Sequence, residues 1–362
     1  MPEPSKSTRR EFLTGHSAVE ALGDAVIGSP PPLAPPAAQS GGHSYLLSVS
    51  RDAMACEFEV LLDARQHPAA ADAAIAALDL VEQLEAQLTV YRESSEISAI
   101  NRRAAGEAVE VEPQLFDLLV RGRDLFVETA GAFDISAGPL SKVWGFYRRQ
   151  GQMPSHEEVT ATLALVGSDK LGFDLERRTI RFPQPGMELN LGAIGKGFAL
   201  DRAAQMLLDV GVEHFVIHGG NSSVIARGYR AHSALEAGWS VGLRHPLKPE
   251  VRLAEFRLQN QALGTSGSGS QFFHYRGRRY GHILDPRSGW PAERVLSATV
   301  VAPTAEQADA LSTALYVLGL DGARAFCSSR PEIAALLVTT SERTGTTQLH
   351  PLNLADDAWQ RL

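Results

Sequence analysis

Cysteine is nearly absent from this 362-residue chain, with Cys56 and Cys327 its only two thiols. Two residues so far apart make neither a disulfide framework nor a zinc-ligand spacing. No apolar run approaches the roughly 18 residues of a membrane-spanning helix. Excess basic charge is missing too: 34 Lys and Arg stand against 42 Asp and Glu, a net charge of −8. A dedicated nucleic-acid binder would usually show a basic face, so that class is disfavoured. What is present is ordinary globular composition, 44% hydrophobic and 21% charged, which excludes disorder as the general state. The length permits one large domain or two ordinary ones, each able to bury a real core. A soluble enzyme or binder remains.

Residues 1–44 differ from the rest. Arg9-Arg10 precedes Phe12-Leu13, as in a twin-arginine export signal. The following segment should be apolar but holds His16, Glu20 and Asp24, and no A-x-A cleavage pattern follows. A disordered arm, rich in proline at Pro30-Pro31-Pro32-Leu33-Ala34-Pro35-Pro36, is the alternative. An extracytoplasmic location is slightly favoured over a cytoplasmic one, and the arm is set apart from the fold.

From Tyr45 onward helical and strand patterns mix without strict alternation. Phe58–Leu62 reads as a strand. A helix is predicted from about Pro68 to Leu88, with Ile75, Leu78, Val81, Leu84 and Leu88 as its apolar stripe. A second starts at Pro113, turns Phe116, Leu119 and Phe126 inward and stops at Gly131. Ser155 and Glu158 have capping-box spacing for a third, ending near Gly167. Thr179–Phe182 and Met187–Leu191 read as strands, followed by a helix from Lys196 to Val210 with Gly211 as its stop. Phe215–His218, Ser240–Leu243, Val251–Leu258 and Val295–Val301 are further strands, and Tyr275–Tyr280 suggests a hairpin. The last long helix begins with Thr304 and Gln307 and ends at Gly319. The expected class is α+β: a single domain over residues 45–350, with mixed, largely antiparallel sheets and packed helices, then a tail at 351–362.

Four segments carry residues that sites use. In Asn190-Leu191-Gly192-Ala193-Ile194-Gly195-Lys196-Gly197, a Gly-rich turn opens a helix, where backbone amides can face an anion and Lys196 adds charge. Its glycine spacing is neither a P-loop nor a dinucleotide fingerprint, and packing a helix on a strand explains the glycines equally well. Gly264–Ser270 reads as a small polar loop able to approach a phosphate, or as a plain surface loop. His282-Ile283-Leu284-Asp285-Pro286-Arg287-Ser288-Gly289 sets three chemically active residues on a turn, although Asp-Pro and Ser-Gly are also ordinary turn chemistry. Asp309 and Thr313 are four apart on one helical face, an oxygen pair suited to a hard cation such as Mg²⁺. Taken as an isolated pair, they read sooner as a solvated Asp and a Thr bonded to its own helix. Together the four point to a phosphate-bearing ligand with a metal.

In this order the motifs resemble the ApbE family of FAD:protein FMN transferases. The likeness runs from about Met54 to Gly319. It takes in Tyr91 with Ser95–Asn101, Gly131-Ala132-Phe133-Asp134, Gly138-Pro139-Leu140 with Trp144-Gly145-Phe146, Asn190–Lys196, Gly219-Gly220, Thr265-Ser266-Gly267, His282–Pro291, and Asp309 with Thr313. The resemblance implies that Met54, Tyr91, Ala132, Phe133, Asp134, Asn190, Lys196 and Ile283 contact FAD, with Thr265, Ser266 and Gly267 beside them. It implies that Asp309, Thr313 and the carbonyl of Ala193 hold Mg²⁺, and that His282 is the base while Lys196 offsets phosphate charge. The implied reaction moves FMN from FAD to a threonine of an acceptor protein and releases AMP.

Three positions depart from the family pattern. Asn190 stands where Asp is usual, Asn221 where Asp or Glu is usual, and Ala55-Cys56 where Gly-Thr is common. The two asparagines take two carboxylates from the neighbourhood of the nucleotide or metal, which leaves an Mg²⁺-dependent FAD pyrophosphatase or a non-catalytic FAD-binding protein as alternatives.

Overall fold

The computed structural model describes residues 46–362, apart from 64–65, 68–69, 231–237, 268, 270 and 342–345. The arm at 1–44, Tyr45, the Pro68 helix start, Ser268 and Ser270 lie outside the described residues.

The chain begins with a hairpin, Leu46–Ala53 (β1) and Cys56–Asp63 (β2), followed by helices Ala71–Leu88 (α1) and Glu96–Arg103 (α2). A short strand Val109–Glu110 (β3) leads into Pro113–Glu128 (α3), Gly138–Val143 (α4) and His156–Leu163 (α5). Gly172–Asp174 (β4) and Thr179–Arg181 (β5) complete a small sheet with β3. Next come Gly195–Asp209 (α6), Phe215–Gly219 (β6), Ser223–Arg227 (β7), Trp239–His245 (β8), Lys248–Leu258 (β9) and Gln261–Gly267 (β10). A separate hairpin, Phe272–Tyr275 (β11) and Arg278–Gly281 (β12), precedes Ser297–Ala302 (β13) and the long helix Ala305–Ser328 (α7). Ala334–Thr340 (β14), Thr347–Leu352 (β15) and Trp359–Arg361 (β16) finish the described chain.

The main sheet has eight strands in the order β1-β2-β6-β7-β10-β13-β14-β15. Every neighbouring pair in it is antiparallel. Its central strands are apolar on both sides because both faces are covered. Phe58, Val60, Phe215, Ile217, Ala262 and Val300 pack on the helical side. Their alternates Val216, Leu263, Val301 and Leu336 pack against Trp239, Val241 and Phe256 of the β8–β9 layer. The period of two thus sorts one strand between two cores.

On the helical side, α6 packs between α1 and α7, and α7 lies over β10 and β13. Two glycines set how closely. A Cβ at Gly197 would stand 2.1 Å from the carbonyl oxygen of Ala305, and one at Gly264 would stand 2.4 Å from that of Ala308. The first turn of α7 is therefore clamped between α6 and β10. Its orphan amides are satisfied: Thr304 accepts from Gln307 N at 3.3 Å, while the Asp201 carboxylate accepts from Ala305 N and Glu306 N, both at 2.9 Å.

Several expectations need correction. Ile75 is 43% exposed, and the buried stripe of α1 runs instead through Ala74, Ala77, Leu78, Val81, Leu84 and Leu88. Small residues were the better guide there, because α6 comes close. Phe126 is only half-buried near the end of α3, while Gly131, at φ 77°, closes that end by donating to Phe126 O. The capping box of α5 is present with both bonds, but the helix stops at Leu163, short of Gly167. Met187–Leu191 forms no strand beyond one bridge, Ala137 to Glu188. The Asn101 side chain takes the place of a neighbouring strand there, accepting from Leu189 N at 2.7 Å and donating to Leu189 O at 3.0 Å. Gly264–Gly267 is the end of β10, not a loop. Gly319, at φ 73°, breaks α7 without ending it, and helix resumes to Ser328. Residues 351–362 are not a tail, since β15 runs to Leu352 and β16 pairs with β9.

Candidate active site

Where β10 ends beside the first turns of α7 and the start of α6, a cleft of about 490 Å³ opens. Tyr91, Ala132, Phe133, Asp134, Asn190, Ala193, Lys196, Thr265, Ser266, Gly267, His282, Ile283, Asp309 and Thr313 all line it. Sequence separations of up to about two hundred residues collapse to one surface through the sheet order. Met54 is the exception: it packs against the core, and its neighbour Ala55 reaches the cleft. Both sit at positive φ, 49° and 61°, in the two-residue turn of the β1–β2 hairpin.

Asp309 is the electrostatic centre. It is 5% exposed, and its Oδ2 accepts from Gly197 N at 2.8 Å while Oδ1 accepts from Ser223 Oγ at 2.6 Å. Lys196 Nζ lies 3.8 Å from Oδ2. Burial pushes this carboxyl above its ordinary value, and Lys196 with the two hydrogen bonds pulls it back. One lysine at that distance leaves a buried carboxylate short of positive charge. One turn on, Thr313 Oγ1 is 3.0 Å from Ser266 Oγ, which also meets Ser312 Oγ at 2.8 Å.

Asp309, Thr313 and Ala193 bring only oxygen donors to the shared cleft wall. Among the described residues, no group of three or more His, Cys, Asp or Glu could hold a metal. A single carboxylate with a hydroxyl and a carbonyl fits a hard divalent cation whose other positions go to water and phosphate, not a transition metal.

His282 is held by its neighbour across the hairpin base, with Nδ1 3.0 Å from Gln271 O. A carbonyl only accepts, so Nδ1 carries the proton and Nε2 is left as the acceptor. Burial lowers the imidazole below its ordinary value of 6.5, and the Lys196 charge lowers it further, against the Gln271 hydrogen bond. The lowered value favours the neutral ring, in which Nε2 is the proton acceptor.

Asp134 shows a different pattern. Its Oδ1 accepts from Ser136 N, Ser136 Oγ and Ser168 Oγ, whereas the buried Oδ2 has no partner among the described residues. Burial raises this carboxyl, partly offset by the serines. Asp134 belongs to the cleft wall, and this oxygen is itself buried.

Other motif residues turn out to be scaffold. Arg287 grips Asp285 with two bonds of 2.8 Å, and Asp285 O accepts from Gly289 N at 2.7 Å. Trp144 Nε1 then donates to Gly289 O at 2.8 Å. Gly197 serves packing, and its amide is spent on Asp309, so the α6 N-terminus is not a simple anion cradle. Asn190 Oδ1 accepts from Gly192 N at 2.9 Å, a bond a carboxylate would make equally well. Asn221 is exposed in the β6–β7 turn and does not line the cleft, so its missing charge is not taken from the cleft wall. Burial pushes the Cys56 thiol up to about 11, which makes it a poor nucleophile. Ser223 and Gln271 were not foreseen: Ser223 acts on Asp309, 86 residues away, and Gln271 faces His282 only through the hairpin register.

Comparison with known proteins agrees with the geometry. The ApbE family matches residues 54–337. The FAD:protein FMN transferase of Klebsiella pneumoniae (strain 342) is 32% identical over 263 residues, 72% of this chain and 80% of that protein. The enzyme of the same name from Haemophilus influenzae is 30% identical over 252 residues, 67% of this chain and 72% of that protein. The crystal structure of the ApbE protein from Thermotoga maritima superposes with a TM-score of 0.75 at 28% identity, covering 84% of this chain and 96% of the other. The apo flavinyl transferase ApbE of Pseudomonas stutzeri gives 0.76 at 26%, covering 87% and 97%. With a family match over most of its length and residues from several of the family's motifs gathered in one cleft, the chain belongs to the ApbE family.

Proposed function

We propose that the cleft binds FAD and transfers its FMN half to a threonine of an acceptor protein, releasing AMP, with Mg²⁺ as the metal. The observation that carries this reading is the convergence of His282, Lys196 and the Asp309–Thr313 pair on one cleft in a chain related to FAD:protein FMN transferases. The threonine Oγ–H bond breaks as its oxygen attacks the flavin-side phosphorus. The bond from that phosphorus to the bridging oxygen breaks in turn, and AMP leaves with the electron pair.

Nε2 of His282 takes the hydroxyl proton, and its Nδ1–H bond to Gln271 O holds the ring in place. Lys196 offsets charge gathering on the phosphate oxygens. Asp309, Thr313 and the Ala193 carbonyl would hold the cation, which supplies charge neutralisation at the pyrophosphate. Asp134, in the cleft wall, would contact the nucleotide, and exposed Tyr91, whose ring centre lies 4.8 Å from that of Tyr147, offers a face for stacking.

The test incubates purified chain with FAD, Mg²⁺ and a threonine-bearing acceptor domain, and reads covalent flavin on the acceptor and AMP in solution. Transfer is expected. Asp309→Asn should lower its rate roughly 10²–10³-fold while leaving the melting temperature equal or higher, because it removes a buried charge. AMP release without acceptor labelling would replace the reading with FAD hydrolysis, and bound intact FAD would replace it with storage.

A further inference from the structure

The β11–β12 hairpin takes no part in the chemistry above, yet the cleft holds it at both ends. Gln271, which precedes β11, and His282, which follows β12, both line the cleft, and His282 N donates to Gln271 O at 3.1 Å. Its inner face is fixed: Phe273 and Tyr280 stack at 5.5 Å and pack on Trp144 and Phe146. The outer face carries Phe272, 44% exposed, edge-on to His274 at 5.4 Å, with the Arg279 guanidinium 3.9 Å over its ring. Tyr275, 38% exposed, lies under Arg276 at the tip.

Residues 271–282 contain three arginines and two histidines but no Asp or Glu, in a chain of net charge −8. Arg278 is paired with Glu293. No third strand joins this two-stranded sheet among the described residues, and of its two strands β11 is the exposed one, at Phe272, His274 and Tyr275.

We propose that this hairpin is the docking surface for the acceptor protein, taking an acidic, extended segment that carries the target hydroxyl. The proposal rests on the transferase reading and adds to it where, and by what chemistry, the second substrate is held. Strand addition to an open hairpin edge supplies affinity through the backbone, and Arg276, exposed at the tip, selects for acid. An occupant there is delivered next to His282, where the hydroxyl proton must be taken. The Tyr275 ring under Arg276 presets that side chain, lowering the cost of ordering it.

Binding is measured first, without turnover. A fluorescein-labelled peptide of aspartates flanking one threonine, and its lysine counterpart, are titrated against the full chain and against Arg276→Glu and Phe272→Ser. The acidic peptide is expected to bind, more weakly as salt rises, and the lysine peptide not to bind. Arg276→Glu should weaken binding about tenfold, as reversal of a contact charge does. Acceptor KM in the transfer assay should rise in parallel, with FAD affinity and saturating rate unchanged.

Equal acidic-peptide binding by wild type and both variants, with normal melting curves, overturns the docking site. So does equal binding of the acidic and lysine peptides. Loss of FAD affinity in the variants also overturns it, since the hairpin would then be serving the nucleotide. Selective peptide binding without any flavin transfer would sink the transferase reading and leave the hairpin as an acidic-peptide site.

Discussion

A neutral imidazole is useful at His282 only if it stays neutral where the protein works. Burial and the Lys196 charge both disfavour its protonated form, so its value lies below the ordinary 6.5. Activity should be flat above that ordinary value and fall only at more acidic pH, as the ring gains its proton. Lys196→Gln removes one of the two lowering influences, so the acidic limb should move toward higher pH. The measurement is kcat/KM against pH for wild type and variant. A limb that stays fixed, or moves to lower pH, would show that the titrating group is not His282.

At this scale part of the site was legible. Asp309 and Thr313 announce themselves by a helical spacing of four, and His282 by the density of turn residues around it. Ser223 could not be read, because only the sheet order brings it to Asp309, and Gln271 could not be read without the hairpin register that sets it opposite His282.

Among elements, α7 matters most, because it carries Asp309, Ser312 and Thr313 and is placed by contacts at glycines. The Gly197 contact leaves no room for a methyl group: the 2.1 Å separation is from backbone, which cannot rotate away. Gly197→Ala should therefore shift α7 from α6 and lower stability by about 1–3 kcal/mol, the usual cost of overpacking. It should also cut transfer sharply, since Asp309 Oδ2 is held by the amide of that same residue. Gly211→Ala is the control. Its Cβ would meet nothing within 4 Å, and the change costs only the strain of φ 80° at a helix end far from the cleft. Thermal melts and transfer rates on both variants make the comparison. Equal losses in activity would show that the clamp does not position the site.

The elements themselves were mostly visible in hydrophobic periodicity. The failures share a cause. Ile75 was misplaced because small alanines, not the larger side chains, mark a close helix contact. Met187–Leu191 has strand composition but meets the Asn101 side chain and a short stretch near Ala137 instead of a full neighbouring strand. Gly264–Gly267 reads as a loop because nothing in its composition shows that α7 needs glycine on β10.

For the molecule as a whole, two cores back a single sheet and only one of them touches the cleft. The helical side holds α6, α7 and the site, while the other side is closed by β8, β9 and β16. The final strand completes that second layer. Trp359 pairs with Phe256 and their ring centres lie 6.5 Å apart, while Ala358 O accepts from Arg257 N at 2.8 Å. Deleting residues 358–362 should cost on the order of 2 kcal/mol, the scale of uncovering one large apolar side chain. It also leaves β9 as an open edge, so aggregation on heating should increase. The FAD dissociation constant should not change, because the sheet separates β16 from the cleft. Fluorescence titration with FAD, alongside light scattering during a melt, reads both. If FAD affinity falls together with stability, the two cores are mechanically coupled through the sheet, and the second layer is part of the binding machinery instead of only its support.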